Sequence, residues 1–185
     1  MSPWRIRHYV QSIKHGAVFA YPTDTIWGLG CDPLDKGAIQ RIQLIKRRSP
    51  RKGLILLSND FEYCRPYVHD SLYDEYCTLL SQPLSKPTTW ILQASKSCPY
   101  WLTGSRETVA IRITQTSLIE ALCGALKQPI VSTSANRSGE PPSRNSYLIH
   151  KHFRQHVNFI IDGFETGSQK ASEIRDAKNG TILRQ

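Results

Sequence analysis

Two short patterns in this 185-residue chain carry side chains suited to chemistry on a polyanion. Lys46-x-Arg48 pairs a point-charge ammonium with a planar guanidinium that can grip two oxygens at once, a combination fitted to phosphate groups. Both residues close a helical pattern, where cations also favour the terminal carbonyls and the helix dipole, so the pair alone reads first as a helix end. Ser132-Thr133-Ser134-Ala135-Asn136 gathers hydroxyls and an amide directly after an apolar strand, ahead of Gly139, Pro141 and Pro142. Turn chemistry accounts for that composition equally well.

Tyr21-Pro22-Thr23-Asp24-Thr25-Ile26-Trp27-Gly28-Leu29-Gly30 poses the same choice. Gly28 and Gly30 permit close backbone approach to a ligand, but a lone G-x-G is no dinucleotide fingerprint. Thr23 and Asp24 suit a turn or a cap as well as a ligand. Arg112 interrupts the apolar pattern Thr108–Ile113, and an arginine carried on a strand beside a pocket is suited to a carboxylate.

The elements that must position these residues follow from periodicity. Helices are expected over 3–14, 36–47, 70–81, 116–126 and 145–155, and strands over 17–21, 54–57, 88–92, 108–113, 129–133, 158–162 and 180–184. The stretch between the third and fourth of these strands reads as a polar loop. Alternation of this kind, without repeat or linker, predicts one α/β domain spanning 1–185 on a twisted, mixed sheet flanked by helices. Thr23–Gly30, Ser132–Asn136 and Gly163–Ser172 each follow a buried strand. That places a shared pocket beyond the carboxyl ends of strands.

Composition bounds the rest. With 39% hydrophobic residues the chain can bury a core, and no run approaches the roughly 18 apolar residues of a membrane span. The first residues lack the apolar stretch of a signal peptide, so the expectation is a cytoplasmic protein. Five cysteines (Cys31, Cys64, Cys77, Cys98, Cys123), odd in number and without C-x-x-C spacing, read as reduced structural thiols. His152 and His156 can share a helix face, but nothing completes a zinc set around them, and no protein metal site is expected. A net charge of +9, densest from Arg41 to Lys52, favours polyanions and does not separate a nucleotide enzyme from an RNA-binding module.

Taken together, these segments resemble the YrdC/TsaC family of L-threonylcarbamoyladenylate synthases in its short, single-domain bacterial form. The resemblance runs from Ala17 to Gln185. It rests on the Pro-Thr-acid-x-x-x-Gly-x-Gly segment at Pro22–Gly30, Lys46-x-Arg48, Lys52–Ile55, Thr108–Arg112, Ser132–Asn136 and Ser172–Asp176. It implies a mixed-sheet fold with a concave nucleotide pocket. It also implies an enzyme that condenses L-threonine, bicarbonate and ATP to threonylcarbamoyl-AMP and pyrophosphate, for threonylcarbamoyladenosine modification of tRNA. By motif match, Lys46 and Arg48 carry the catalytic charge stabilisation. Lys46, Arg48, Thr108, Ser134, Asn136, Arg144 and Arg184 are implied on the ATP side, and Thr23, Arg112, Ser132 and Ser172 on the threonine side. Magnesium would arrive with ATP, and no protein-bound cofactor is implied. The implied partners are tRNA-modification proteins that transfer the threonylcarbamoyl group, with direct tRNA contact left open.

No covalent nucleophile is needed for such a reaction, so the lack of a Ser-His-Asp or Cys-His set is no objection. Three positions depart from the family pattern: Leu84-Ser85-Lys86-Pro87 replaces Trp-Pro-Gly-Pro, Leu57 replaces a histidine of longer relatives, and Gln115 replaces an acid. The competing reading is a non-catalytic protein binding tRNA or double-stranded RNA, such as a ribosome-maturation factor, using a basic concave face. That reading gives Ser134, Asn136 and Ser172 no task.

Overall fold

The computed structural model describes residues 1–143, 145–163 and 170–184. Helix α1 (Pro3–Lys14) starts at Ser2, whose hydroxyl accepts the Arg5 N–H, with proline in the first turn. A short strand β1 (Phe19–Tyr21) and a second, β2 (Gly28–Cys31), precede α2 (Lys36–Lys46), which Asp35 caps through the Ala38 N–H. Then come β3 (Ile55–Ser58), 3-10 turns at Glu62–Tyr67 and Asp70–Leu72, α3 (Tyr73–Ser81), β4 (Thr88–Gln93), a single helical turn α4 (Tyr100–Thr103) and β5 (Thr108–Ile113). The remainder is α5 (Ser117–Leu126), β6 (Ile130–Ser134), α6 (Ser146–Phe153), β7 (Phe159–Ile160), β8 (Glu173–Asp176) and β9 (Ile182–Arg184).

The strands form one sheet in the order β7-β1-β2-β6-β3-β5-β4-β8-β9. Among the described residues three pairs are parallel and five antiparallel. The sheet is therefore mixed.

Strand alternation sends side chains to two faces with different cover. On one face Val18, Ala20, Leu29, Leu56, Val109, Ile111 and Val131 pack beneath α2 (Ala38, Ile39, Ile42), α3 (Tyr73, Tyr76) and α6 (Ile149, Phe153). On the other, Phe19, Tyr21, Leu57 and Ile130 pack beneath α1 (Tyr9, Val10, Ile13) and α5 (Ile119, Leu122, Leu126). This second layer covers only part of its face. Further along, β6, β3, β5, β4 and β8 turn Ser132, Ser134, Ile55, Thr108, Ala110, Arg112, Ile91 and Ile174 toward an open concavity.

The pocket thus lies across the face of the sheet, not beyond the carboxyl ends of its strands, because most neighbouring strands run antiparallel and their ends do not converge. Two strands were not expected. Gly28–Cys31 resembles a turn in composition, yet it pairs on both sides, with Phe19–Tyr21 and with Val131–Ser134. Glu173–Asp176, rich in charge, adds parallel to β4. The polar loop expected between β4 and β5 contains α4, and the expected helix at 70–81 opens as a 3-10 turn.

Candidate functional site

Both glycines of β2 make room for a neighbour of their own chain. A Cβ on Gly30 would lie 2.8 Å from the Phe19 ring and 3.0 Å from that of Tyr21, and one on Gly28 would meet Tyr21 at 3.1 Å. The Tyr21 ring therefore crosses β2, and its hydroxyl donates to Ser132 Oγ at 2.7 Å. Burial pushes the Tyr21 phenol above its ordinary range, so it stays a neutral donor. Ser132, on the concave face, is oriented by this bond.

The Pro22–Ile26 turn is held by its own hydroxyls. Thr23 Oγ1 donates to the Ile26 carbonyl at 2.7 Å and accepts from the Thr25 N–H at 3.0 Å, with Thr25 Oγ1 2.9 Å away. Arg112 reaches this turn from β5. Its Nη1 donates to Thr25 Oγ1 at 2.9 Å and its Nη2 to Asp24 Oδ1 at 2.5 Å, while its buried Nε has no partner.

Helix α2 ends with Arg47 in the left-handed region (φ 49°), and the Arg48 N–H returns to the Gln43 carbonyl at 2.8 Å. This reversal sends Lys46 and Arg48 to different places. Lys46, 2% exposed, lies outside the cavity lining. Its ammonium donates to the Ser134 carbonyl, to the Asn136 carbonyl at 2.8 Å and to Asn136 Oδ1 at 3.1 Å. Burial first, and Arg48 second, lowers its pKa from 10.5 to about 7. Arg48 enters the cavity, donates to the Gly53 carbonyl at 2.6 Å and keeps a buried Nε without a partner. Burial, then the neighbouring Arg106, lowers its pKa.

Ser134 lines the cavity, and its hydroxyl donates to Asn136 Oδ1 at 2.5 Å. The Asn136 amide donates to the carbonyls of Arg137 at 3.0 Å and Glu140 at 2.5 Å. Asn136 itself faces a separate cleft against Leu148 and Phe153. Lys46 and Asn136 therefore brace the loop that presents Ser134, and neither is among the residues lining the cavity in this structure. All their donors are already engaged by the loop.

The far wall comes from β8 and β9. Ser172, 4% exposed, shares a hydrogen bond with Thr89 across 2.8 Å, and Arg184 Nη2 donates to the Ser172 carbonyl at 2.9 Å. Burial, then Arg112, lowers the Arg184 pKa. Arg144 lies outside the described residues.

The resulting cavity, about 290 Å³, gathers Thr23, Thr25, Arg48, Arg106, Thr108, Arg112, Ser132, Ser134, Ser172 and Arg184. Among the described residues its lining holds four guanidinium groups and no carboxylate. Such a wall suits phosphates and carboxylates, and its hydroxyls suit a small polar ligand. A larger groove of about 810 Å³ adjoins it on the other side of Asp24, but Asp24, Asp60 and Glu62 there outnumber Lys86, so it does not suit a polyanion. Leu84–Pro87 and Gln115 line this groove, while Leu57 is buried under α5. Sequence reading missed Arg106 and Thr25 as cavity residues. A lone arginine in a polar loop carries no signal, whereas the Thr23-x-Thr25 alternation was a usable one.

Among the described residues no three His, Cys, Asp or Glu side chains converge as a metal site, and no helix is long and apolar enough to cross a membrane.

The sequence profile Sua5/YciO/YrdC, described as "Telomere recombination", matches residues 11–185. The chain is 39% identical over 181 residues to a threonylcarbamoyl-AMP synthase of Klebsiella pneumoniae, covering 97% of this chain and 95% of that one. It is 37% identical over 188 residues to the protein of that name from Pseudomonas savastanoi, covering 100% and 98%. The structure of P. abyssi Sua5 complexed with L-threonine superposes with a TM-score of 0.89 at 30% identity, over 100% of this chain and 54% of that longer one.

Proposed function

The chain belongs to the Sua5/YciO/YrdC family, and from that premise we propose that it is a threonylcarbamoyl-AMP synthase acting on L-threonine, bicarbonate and ATP. The observation that carries the proposal is the composition of the cavity, with four arginines and a set of buried hydroxyls on one sheet face and no acid in the described lining. A triphosphate and an amino-acid carboxylate both need cationic donors, and the small hydroxyl-lined end at Thr23, Thr25, Ser132 and Ser172 matches threonine in size and polarity.

In this reading the amine of threonine, once deprotonated, adds to carbon dioxide with loss of a proton, or to bicarbonate with loss of water, to give a carbamate. A carbamate oxygen then attacks the α-phosphorus of ATP, the bond to the β-phosphate oxygen breaks, and pyrophosphate leaves with the electron pair. This is a nucleotidyl transfer, and positioning with charge stabilisation suffices for it. Arg48, Arg106 and Arg184 offset charge building on the phosphates. Thr108 and Ser134 contact the nucleotide, Arg112 takes the threonine carboxylate, and Thr23, Ser132 and Ser172 surround the rest of that substrate. Lys46 and Asn136 act through the loop that carries Ser134. Arg144 remains a candidate phosphate ligand by its place in the motif. Magnesium enters on the ATP phosphates, where it keeps most of its waters. The product passes to partner proteins that transfer the threonylcarbamoyl group to tRNA, and the expected compartment is the cytoplasm. An RNA-binding role alone gives the buried hydroxyls no purpose.

The test is incubation with ATP, magnesium, bicarbonate and labelled threonine. Threonine-dependent pyrophosphate together with a labelled threonylcarbamoyl nucleotide is the expected result. No product under conditions where the Klebsiella relative turns over would refute the proposal.

A further inference from the structure

Threonine in water is a zwitterion, and a wall of guanidinium groups answers only half of it. The four arginines attract the carboxylate but repel the ammonium two bonds away, and partial burial strengthens both effects. A site selective for an amino acid therefore also needs acceptors for the ammonium, and a carboxylate held close to the group that takes the substrate carboxylate is the strongest of these.

Asp24 has that position. Its Oδ1 lies 2.5 Å from Arg112 Nη2, while its side chain remains 28% exposed, against 8% for Arg112. It lines the 810 Å³ groove, whereas Arg112 lines the basic cavity, so the ion pair stands on the partition between the two. Arg112 is not fully engaged, because Nη1 is bound to Thr25 and Nη2 to Asp24 while Nε is buried with no partner. A buried guanidinium N–H left unpaired is costly, and an incoming carboxylate oxygen relieves it. The Pro22–Ile26 turn holds Asp24 in place through the Thr23 hydroxyl.

We propose that Asp24 receives the α-ammonium of the amino-acid substrate, so that Arg112 and Asp24 together form a paired-charge site for the zwitterion and discriminate against carboxylates lacking an α-amine. This rests on the reading of the cavity as a threonine site. Asp24 fixes the nitrogen relative to the carboxylate, and thus the position from which it captures carbon dioxide after losing its proton. The competing role for Asp24 is purely structural, neutralising Arg112 and holding it still.

The two roles separate in a binding comparison between L-threonine and (R)-3-hydroxybutanoate, which is threonine without its amine. Affinities of the full-length wild type and of Asp24→Asn are measured by calorimetry, with ligand-observed NMR for the weaker analogue and ATP as the control ligand. The expected result is a loss of about 30-fold or more for threonine in Asp24→Asn, with the analogue and ATP held within about threefold, and partial recovery in Asp24→Glu. Equal losses for threonine and the analogue would assign Asp24 the structural role and overturn the proposal, as would unchanged threonine binding. Wild-type protein that binds ATP but no threonine would refute the substrate reading itself, and this inference with it.

Discussion

The basic run from Arg41 to Lys52 divides at single-residue resolution into unrelated tasks. Arg41 bonds Asn158 and the Gly16 carbonyl, Lys46 braces the Ser134–Asn136 loop, and Arg48 enters the cavity. Lys46 carries a testable conflict. Three oxygens converge on its nitrogen, and only an ammonium has three N–H groups to give them, yet burial and Arg48 lower its pKa from 10.5 to about 7. With the folded value below the unfolded one, the unfolded chain binds more protons between pH 7 and 10.5. Stability should therefore rise with pH across that window, by up to about 1.4 kcal/mol for each pH unit. Urea denaturation of the wild type and Lys46→Met at pH 7 and pH 9 should show the wild type gaining relative to the variant. Parallel pH dependences would mean that the three oxygens hold the proton against burial. Arg112 was legible in sequence because a charge inside an apolar strand must be accommodated somewhere. The different destinations of Lys46 and Arg48 were not, because they depend on the left-handed backbone of Arg47, a residue whose type does not call for it.

At the scale of elements, the site is assembled by contacts between segments that periodicity treats separately. The loop after α2 joins the end of α4 through the Lys52–Gly104 bridge and the Leu54 N–H to the Leu102 carbonyl, and this junction sets where Arg48 and Arg106 emerge. Gly104 has φ +70°, and a Cβ there would lie 2.4 Å from the Arg51 carbonyl oxygen. Gly104→Ala should cost about 2 kcal/mol or more by denaturation and raise the KM for ATP, since Arg106 follows two residues later. Lys127, also left-handed at φ 57° but exposed at the end of α5, provides the opposite case. Lys127→Gly should gain about 0.5 kcal/mol and leave KM unchanged. If both variants moved KM alike, the junction would not be what positions the arginines. Most helices and buried strands followed from hydrophobic spacing. β2 did not, because two glycines looked like a turn while their missing side chains were making room for Phe19 and Tyr21. β8 did not, because at Glu173–Asp176 pairing with β4 outweighs the charged composition.

The architecture of the whole molecule explains where the arginine-lined cavity lies. A sheet with a large core packed on one face and a smaller one covering part of the other leaves a concave remainder, and strand alternation fills it with the residues that point away from the main core. Net charge acts on top of this geometry. At +9 the protein attracts anions over a range set by the Debye length, about 10 Å at 0.1 M salt and about 3 Å at 1 M. ATP carries several negative charges and should feel both the long-range field and the four arginines. Threonine, a zwitterion with no net charge, should feel only the local pairing of Arg112 and Asp24, where field and counter-field cancel with distance. Raising salt from 0.1 to 0.5 M should therefore weaken ATP binding by about tenfold, as measured by calorimetry, and threonine binding by less than about twofold. Equal sensitivity of the two ligands would mean that threonine is held by net cationic attraction, as a simple carboxylate would be. The paired-charge account of its recognition would then fail together with the division of the cavity into a polyanion end and a zwitterion end.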